Sequence, residues 1–399
     1  MNIGIVTTWF ERGAAYVSRQ FMNILSKTDN VFIYARGGEK YAIGDPKWDL
    51  PNVYWSKRSN ADVRIHGSMF INKKEFKKWI DINKIDIILF NEQAWTTPLI
   101  WCNEWKIPTI AYVDYYKENT IPWFNIYDAV LCNTKRHSFA FRHHPHQIYL
   151  KWGTDIDLYK PNIKKNKEIT FFNSAGMSPL RKGTDLVIQA FYNIENRKNA
   201  KLLIHSQVSL CQKMPNLKNI IKELTEEGSL EIIEGTITAP GLFYRADVYV
   251  YPSRLDGIGL TLMEAAASGL ACITVDNPPM NEFINSTFGV TCPVDYQYCR
   301  SDAYYWPMCV CNIDSLSKAM NDVINGHLDI DQMKLNARKY AENELNFDKN
   351  MLPLSNMIKT VKYRSEGKEE AKNLILQNEN SKIIRLKKKL LFLFKLGIV

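Results

Sequence analysis

Residues 251–283, YPSRLDGIGLTLMEAAASGLACITVDNPPMNEF, set two acids eight positions apart, Asp256 and Glu264, around a loop carrying Gly257 and Gly259. Without Cβ atoms, the glycines let backbone amides approach a ligand closely, and Ile258 and Leu260 complete that turn. A helix opening near Leu260 aims its unpaired N–H groups and positive dipole end at the same place. Such a site suits phosphate. Glu264, about one turn into the helix, is placed to accept hydrogen bonds from ligand hydroxyls, and Asp256 flanks the loop on its other side. Taken singly, Glu264 could equally serve only to complement the helix dipole; the whole pattern points to a ligand with both phosphates and hydroxyls.

A second cluster lies in AGMSPLRKGTDLVIQAF (residues 175–191), where Arg181 and Lys182 precede Gly183 and Thr184 at a strand end that opens a helix. Adjacent cations there can neutralise charge developing on a departing diphosphate, although a Lys-Arg pair on a surface is commonly just solvated.

The elements that must position these groups alternate. IGIVTT, VFIYA, IDIILFNE, PTIAYVDYY and DAVLCNTK read as buried strands, with helical patterns such as AAYVSRQFMNILSK and NKKEFKKWIDIN between several of them. The rhythm restarts with ITFFNSAG and continues through KLLIHSQ, LEIIEG, ADVYVYPS and ACITVD, with TDLVIQAFYNI and LTLMEAAASG as helices. This predicts an α/β chain of two Rossmann-like doubly wound domains facing across a cleft, with a C-terminal helical extension. The expected boundaries are 1–155 for an N-terminal domain, 156–167 for a linker and 168–346 for a C-terminal domain. A crossover helix over 347–365 packing back on the first domain, and a basic amphipathic tail over 366–399, complete the expectation. Ligands in such sheets bind at the carboxyl ends of strands. After strand one that rule singles out Glu11, Arg12 and Gly13 in TWFERGAAY, a strand-to-helix turn without a G-x-G-x-x-G pattern.

Length and composition agree with two cores. The 399 residues are 46% hydrophobic and 12% aromatic, which argues against disorder. MNIGIVTTWF reads as a buried strand rather than a signal peptide, and no apolar run approaches the ~18 residues of a membrane span. Eight cysteines spread along the chain suit a reducing compartment, so a cytoplasmic location is expected. Cys292, Cys299, Cys309 and Cys311 do not have the spacing of paired zinc knuckles, and buried thiols are the expectation. RHHPH (residues 142–146) reads as an exposed turn rather than a metal site. The net charge of +9 is concentrated: from Lys382 onward there are six basic residues and no acids, leaving +3 on the rest. That distribution, with no aromatic-interleaved basic module, argues against a nucleic-acid partner.

With these residues in view, the segment 251–282 resembles the donor-binding block of the retaining glycosyltransferases of family 4, which have the GT-B fold. Their acid-x7-acid motif falls on Asp256 and Glu264, followed by a third acid at Glu282 in NPPMNEF. Lys182-Gly183 resembles their phosphate-binding lysine and glycine, and WGTDIDLYKP their interdomain segment. The resemblance implies transfer of a hexosyl or related group from a nucleotide-diphosphate sugar to a hydroxyl of a glycan, glycolipid or glycoprotein acceptor, with retained anomeric configuration. It implies a donor site that also takes in Gly176 and Gly235, with Glu264 on the ribose and Asp256 and the glycine loop on the sugar and phosphates. No cofactor or metal is expected.

Three departures qualify it. The first acid of the pair is usually Glu, the expected arginine six residues before the Lys-Gly glycine is Met177, and Asp114 stands where many members carry histidine. Asp114 is therefore a candidate catalytic residue beside Asp256 and Glu264. It suits an oxocarbenium-like centre, orientation of the acceptor hydroxyl, or a base for an inverting reaction. An inverting GT-B transferase, a sugar-nucleotide epimerase and a non-catalytic sugar-nucleotide-binding subunit thus stay as alternatives. The aromatic stretch DYQYCRSDAYYWPMCVC is longer than the family's usual link, and ordinary packing or cover over the donor edge are both open. In the tail, SKIIRLKKKLLFLFKLGIV places Ile383, Leu386, Leu390 and Leu393 at helical spacing. At about 1 kcal/mol per basic residue near anionic lipid, its six give at most roughly 6 kcal/mol before screening. Peripheral attachment to the inner membrane face is the expectation, with self-association through the tail as the alternative.

Overall fold

The computed structural model describes residues 1–36, 41–57, 69–113, 115–162 and 166–395, the last of these with side chains to residue 381. Asp114 and the tail side chains from residue 382 onward lie outside the described set. Contacts divide the chain into two compact units, one of residues 1–132, 137–149 and 352–399, the other of residues 133–136 and 150–351.

The first unit is built on seven strands: β1 (Asn2–Thr7), β2 (Asn30–Ala35), β3 (Val53–Trp55), β4 (Ile87–Asn91), β5 (Thr109–Tyr112), β6 (Ala129–Cys132) and β7 (Gln147–Tyr149). Their order is β3-β2-β1-β4-β5-β6-β7 and every pairing is parallel. Helices that cover both faces of a parallel sheet leave its central strands no solvated side. That is why β1 and β4 read as apolar runs, with Ile3, Ile5, Ile87, Ile88 and Leu89 all at 0% exposure. The helix Gly13–Leu25 buries Ala15, Val17, Phe21, Met22 and Leu25, as its spacing predicts. The short edge strands β3 and β7 carry mixed burial and had no clear pattern.

The C-terminal segment completes this unit. The helix Leu354–Thr360 is fixed at Asp29, whose carboxylate accepts from Ser355 and pairs with Lys359 at 3.1 Å. Burial alone would raise the Asp29 pKa, but hydrogen bonds from Ser355, Thr28 and Lys359 hold it well below the usual carboxylate range. The helix Lys368–Lys395 begins with a buried ion pair between Lys368 and Asp128 at 2.8 Å, and buries Ala371 and Ile375. No helix of the described residues is long and apolar enough to cross a membrane. RHHPH is not simply an exposed turn: His144 is buried, its Nδ1 accepting from His146 N–H at 3.1 Å and its Nε2 lying 3.2 Å from the Phe124 carbonyl. Burial, aided by the Arg364 charge, lowers its pKa to about 4.

The second unit carries β8 (Ile169–Gly176), β9 (Ala200–Ser206), β10 (Leu230–Glu234), β11 (Val248–Tyr251), β12 (Ala271–Val275) and β13 (Gly289–Cys292). The order β10-β9-β8-β11-β12-β13 is again wholly parallel. The strand order reverses between β8 and β11, and this sets where the two motif loops meet. The aromatic stretch after β13 folds as an antiparallel hairpin of β14 (Val294–Tyr298) and β15 (Met308–Cys311).

The unit boundaries differ from the sequence reading. The strand-like segment after Leu150 belongs to the second unit, where Thr154 pairs with residues 345–347 through Thr154 N–H to Leu345 (2.7 Å) and Phe347 N–H to Thr154 (3.0 Å). A Cβ on Gly153 would lie 2.4 Å from the Leu345 carbonyl oxygen, so this backbone approach requires glycine. The helix Phe347–Met351 likewise stays with the second unit, and the first unit resumes at Leu352.

Candidate active site

The switch point of the second sheet places the ends of β8 and β11 side by side, the position at which open α/β sheets bind ligands. From β8 the chain turns through residues 177–183 into the helix Thr184–Tyr192; from β11 it turns through residues 252–259 into the helix Leu260–Ala267. Gly183 and Gly259 are the residues preceding these helices, at φ 72° and 79°, a left-handed conformation that suits glycine. At Gly183 there is a second requirement. A Cβ there would sit 2.2 Å from the Pro252 carbonyl oxygen, so the absent side chain is what brings the two loops together.

Several bonds then lock the loops. Arg254 makes a bidentate ion pair with Asp185, both contacts 2.7 Å. Arg181 donates from Nη1 to the Leu255 carbonyl (2.6 Å), while its own carbonyl accepts from Arg254 N–H (2.9 Å). Lys182 Nζ lies 2.5 Å from Asp256 Oδ2 and also donates to the Tyr251 hydroxyl, which in turn donates to Asp256. The other Asp256 oxygen accepts from Gly257 N–H at 2.9 Å. Thus Arg181, Lys182, Gly183, Asp256, Gly257 and Gly259 lie together at the ends of β8 and β11, and Tyr251 joins them as the hydroxyl shared by lysine and acid.

Electrostatics separate the two carboxylates. Burial would raise the Asp256 pKa, but the charges of Lys182 and then Arg181, with hydrogen bonds from Lys182 and Tyr251, hold it well below the carboxylate range. Glu264 is pushed up to about 7 by burial, with the Asp256 charge adding to it, against the lowering effects of a hydrogen bond to Tyr159 and the Lys182 charge. Lys182 itself is lowered, by burial first and by Arg181, with Asp256 opposing. One acid is committed to a cation and permanently ionised; its neighbour is poised to change state when a partner arrives.

The third acid behaves differently. Both Glu282 oxygens are taken by backbone amides, Lys135 at 2.6 Å and Arg136 at 2.9 Å. Burial raises the Glu282 pKa while those bonds oppose it. Arg136 reaches the glycine loop itself: it donates to the Asp256 carbonyl and to the Pro278 carbonyl (2.7 Å), and its guanidinium lies 5.3 Å from the Trp306 ring centre. Trp306 stands in the turn between β14 and β15, so the aromatic insertion packs on the arginine that supports the loop. Nothing in the sequence signals Arg136, because its partner is 120 positions away.

Gly176 and Gly235 end β8 and follow β10, with φ 55° and 120°; the Gly176 carbonyl accepts from Gln207 N–H and the Gly235 carbonyl meets His205 Nε2 at 2.8 Å. Ile258 is buried and Leu260 half-buried at the helix start. Met177, in the place of an expected arginine, is 71% exposed. In the first unit, Arg12 and Gly13 open the helix after β1, and Glu11 accepts from the Tyr16 hydroxyl and from Trp48 Nε1 at 3.4 Å. All eight cysteines are free, and among the described residues no group of three or more His, Cys, Asp or Glu side chains is arranged to hold a metal ion.

Residues 155–341 match the family model described as glycosyl transferases group 1. The matched stretch lies within the second unit. The match includes Lys182, Asp256, Glu264 and Glu282. Among characterised proteins, the GtfA subunit of the UDP-N-acetylglucosamine–peptide N-acetylglucosaminyltransferase of Streptococcus pneumoniae is 22% identical over 234 residues, 52% of this chain and 46% of that one. Among solved structures, a glycosyltransferase from Rickettsia africae superposes with a TM-score of 0.71 at 15% identity, covering 90% of this chain and 98% of that one. HepE from Anabaena in complex with UDP gives 0.71 at 12% identity, covering 90% and 99%. Pneumococcal GtfA with UDP and GlcNAc gives 0.65 at 13%, again covering 90% and 99%. The fold is GT-B.

Proposed function

We propose that the protein is a retaining glycosyltransferase of family 4, moving a sugar from a nucleotide-diphosphate sugar to a hydroxyl of a glycan or lipid-linked acceptor. The observation that carries this is the pairing of Lys182 with Asp256 across two glycine turns at the β8/β11 switch point, with Glu264 one turn into the adjoining helix. Lys182 has three N–H donors, two of them engaged by Tyr251 and Asp256, so one remains for a phosphate oxygen. The Leu260–Ala267 helix offers its first amides to the same anion. Glu264 accepts the ribose hydroxyls. Because HepE and GtfA were solved with UDP, a uridine nucleotide is the first donor to test.

In the reaction the C1–oxygen bond to the β-phosphate breaks and its electron pair leaves with the diphosphate, stabilised by Lys182, Arg181 and the loop amides. The acceptor oxygen bonds to C1 from the same face, and its proton passes to the departing phosphate oxygen. These cations meet the developing charge without a resident metal, so transfer is expected to continue in chelator. Arg136 acts by positioning, since it holds the Asp256 carbonyl. Residues 382–399 attach the chain peripherally to an anionic, cytoplasm-facing membrane, and liposome co-sedimentation with and without them tests that attachment.

A thermal-shift panel of nucleotide sugars, followed by product analysis by NMR, tests the whole reading. Stabilisation by one donor, release of its nucleotide diphosphate and a retained anomeric configuration support it. An inverted product would move the chemistry to a general base, and donor binding with no release for any acceptor would make the chain a binding subunit.

A further inference from the structure

The first unit contains a cavity of about 300 Å³ beyond the carboxyl ends of β4 and β5, a size within the range of small-molecule sites. Val113, Tyr116, Trp123, Phe124 and Tyr127 form its walls, with Glu92 and Lys117 as its charged residues. We propose that this cavity takes a hydrocarbon chain, the prenyl or acyl aglycone of a lipid-linked acceptor. The word acceptor rests on the transferase reading; the cavity's affinity for hydrocarbon does not.

The polar lining decides the occupant. A pyranose ring needs several hydrogen-bond partners, and here the amide of Gln93 and the hydroxyl of Thr120 are already engaged. Gln93 accepts from Arg36 (2.6 Å) and donates to the carbonyls of Met69 (3.0 Å) and Trp95 (2.7 Å). Thr120 accepts from Lys117 N–H (2.9 Å) and donates to the Lys117 carbonyl (3.0 Å). Tyr127 is 2% exposed and its hydroxyl is buried without a partner, so that ring presents only hydrocarbon. Among the described residues, what remains is a largely aromatic interior with Glu92 and Lys117 as its charged groups, a surface that gains from burying chain carbons.

The walls are also preformed, as a binding cavity requires if it is not to collapse. Phe124 packs on Phe141 with ring centres 4.7 Å apart, and Tyr116 on Phe141 at 4.8 Å. Arg364 donates to the carbonyls of Asn125 (2.7 Å) and Tyr127 (2.8 Å), and the helix Lys368–Lys395 packs along the segment Glu118–Ile126. That helix leads into the basic tail, so one element both braces the cavity and carries the residues proposed to meet lipid. At the rim, Glu92 holds a left-handed φ of 51° directly after β4, a conformation that costs energy for a residue with a side chain and tends to persist at functional positions.

The test uses the full chain and methyl, hexyl and octyl glucosides below their micellar concentrations, with binding read by tryptophan fluorescence and calorimetry. Affinity should rise about fourfold per added methylene, the factor that burying ~0.8 kcal/mol per CH₂ gives. Ala94→Trp, at an exposed position on the cavity lining, should fill the space and abolish the chain-length dependence. Phe124→Ala should move the optimum to longer chains, and thermal midpoints report whether each variant is folded. Equal binding of methyl and octyl glucosides, or an unchanged length series in folded Ala94→Trp, would overturn the proposal. Length-dependent binding in a chain that binds no nucleotide sugar would uphold it while removing the transferase reading.

Discussion

Replacing Glu264 by Gln isolates the poised carboxyl of the donor site, because the amide keeps the shape but cannot ionise. In the wild type, burial moves this group from 4.5 to about 7. Between those two values the folded chain holds a proton that the unfolded chain has released. The free energy of unfolding therefore falls as pH rises through that window, and the stabilisation is fully present only below about 4.5. At about 1.4 kcal/mol per pH unit the difference amounts to about 3 kcal/mol, an upper bound because Glu264 is only half-buried. The variant lacks this slope. Urea unfolding at intervals from pH 4.5 to 8 should show the two proteins converging or differing by a constant at the acid end. At the alkaline end Glu264→Gln should gain relative to wild type by up to that amount. Binding should move the other way. A nucleotide sugar has no phosphate titrating near 7, so wild-type affinity should strengthen as Glu264 ionises, and the variant should bind weakly with no such pH dependence. Parallel stability profiles for the two proteins would refute the reasoning, since they would mean that water reaches the carboxylate and burial does not govern it.

Lys182→Ala removes the phosphate donor and strips Asp256 of the cation paired with it; nucleotide-sugar affinity by calorimetry should fall by tenfold or more, with the Asp256 pKa rising toward the ordinary range. Gly183→Ala combines a left-handed φ with a Cβ 2.2 Å from the Pro252 carbonyl oxygen, so its urea midpoint should drop by the equivalent of about 1–3 kcal/mol or more. Arg136→Lys should leave the fold intact but lower kcat more than it raises KM, because the bidentate hold on the Asp256 and Pro278 carbonyls is lost; equal activity would show that the loop supports itself. Lys368→Met leaves Asp128 buried at 0% exposure without its cation, and thermal unfolding of the first unit should be destabilised by about 3–5 kcal/mol.

Much of this architecture was legible because parallel strands buried on both faces must be apolar runs, and β1, β4, β8, β11 and β12 are such runs. The short strands β3, β7 and β13 were not, because three or four residues with mixed burial carry no period. The convergence of Lys182 and Asp256 followed from topology: each motif ends a strand, and strand order makes those strands neighbours. Arg136 and Tyr251 carry no sequence signal, for opposite reasons. The arginine acts across 120 positions, whereas the tyrosine looked like one more apolar residue of a buried strand until its hydroxyl was placed between Lys182 and Asp256. Glu282 was placed by its position in the motif alone, and its contacts to two backbone amides, Lys135 and Arg136, carry no pattern in the sequence. His144 shows the same for composition: a histidine cluster around a proline hides a ring buried in the interior, whose Nδ1 accepts from the His146 N–H.

In the proposed reaction a sugar's diphosphate rests on the turn between Asp256 and Leu260, opposite Lys182. A crystal structure of the chain soaked with a nucleotide-diphosphate sugar measures this most directly. Phosphate oxygens are expected within hydrogen-bonding distance of the Ile258–Leu260 amides and of Lys182 Nζ, with the ribose hydroxyls on Glu264. A nucleotide bound with its phosphates away from that turn, or with Lys182 still making only its Tyr251 and Asp256 contacts, would contradict it.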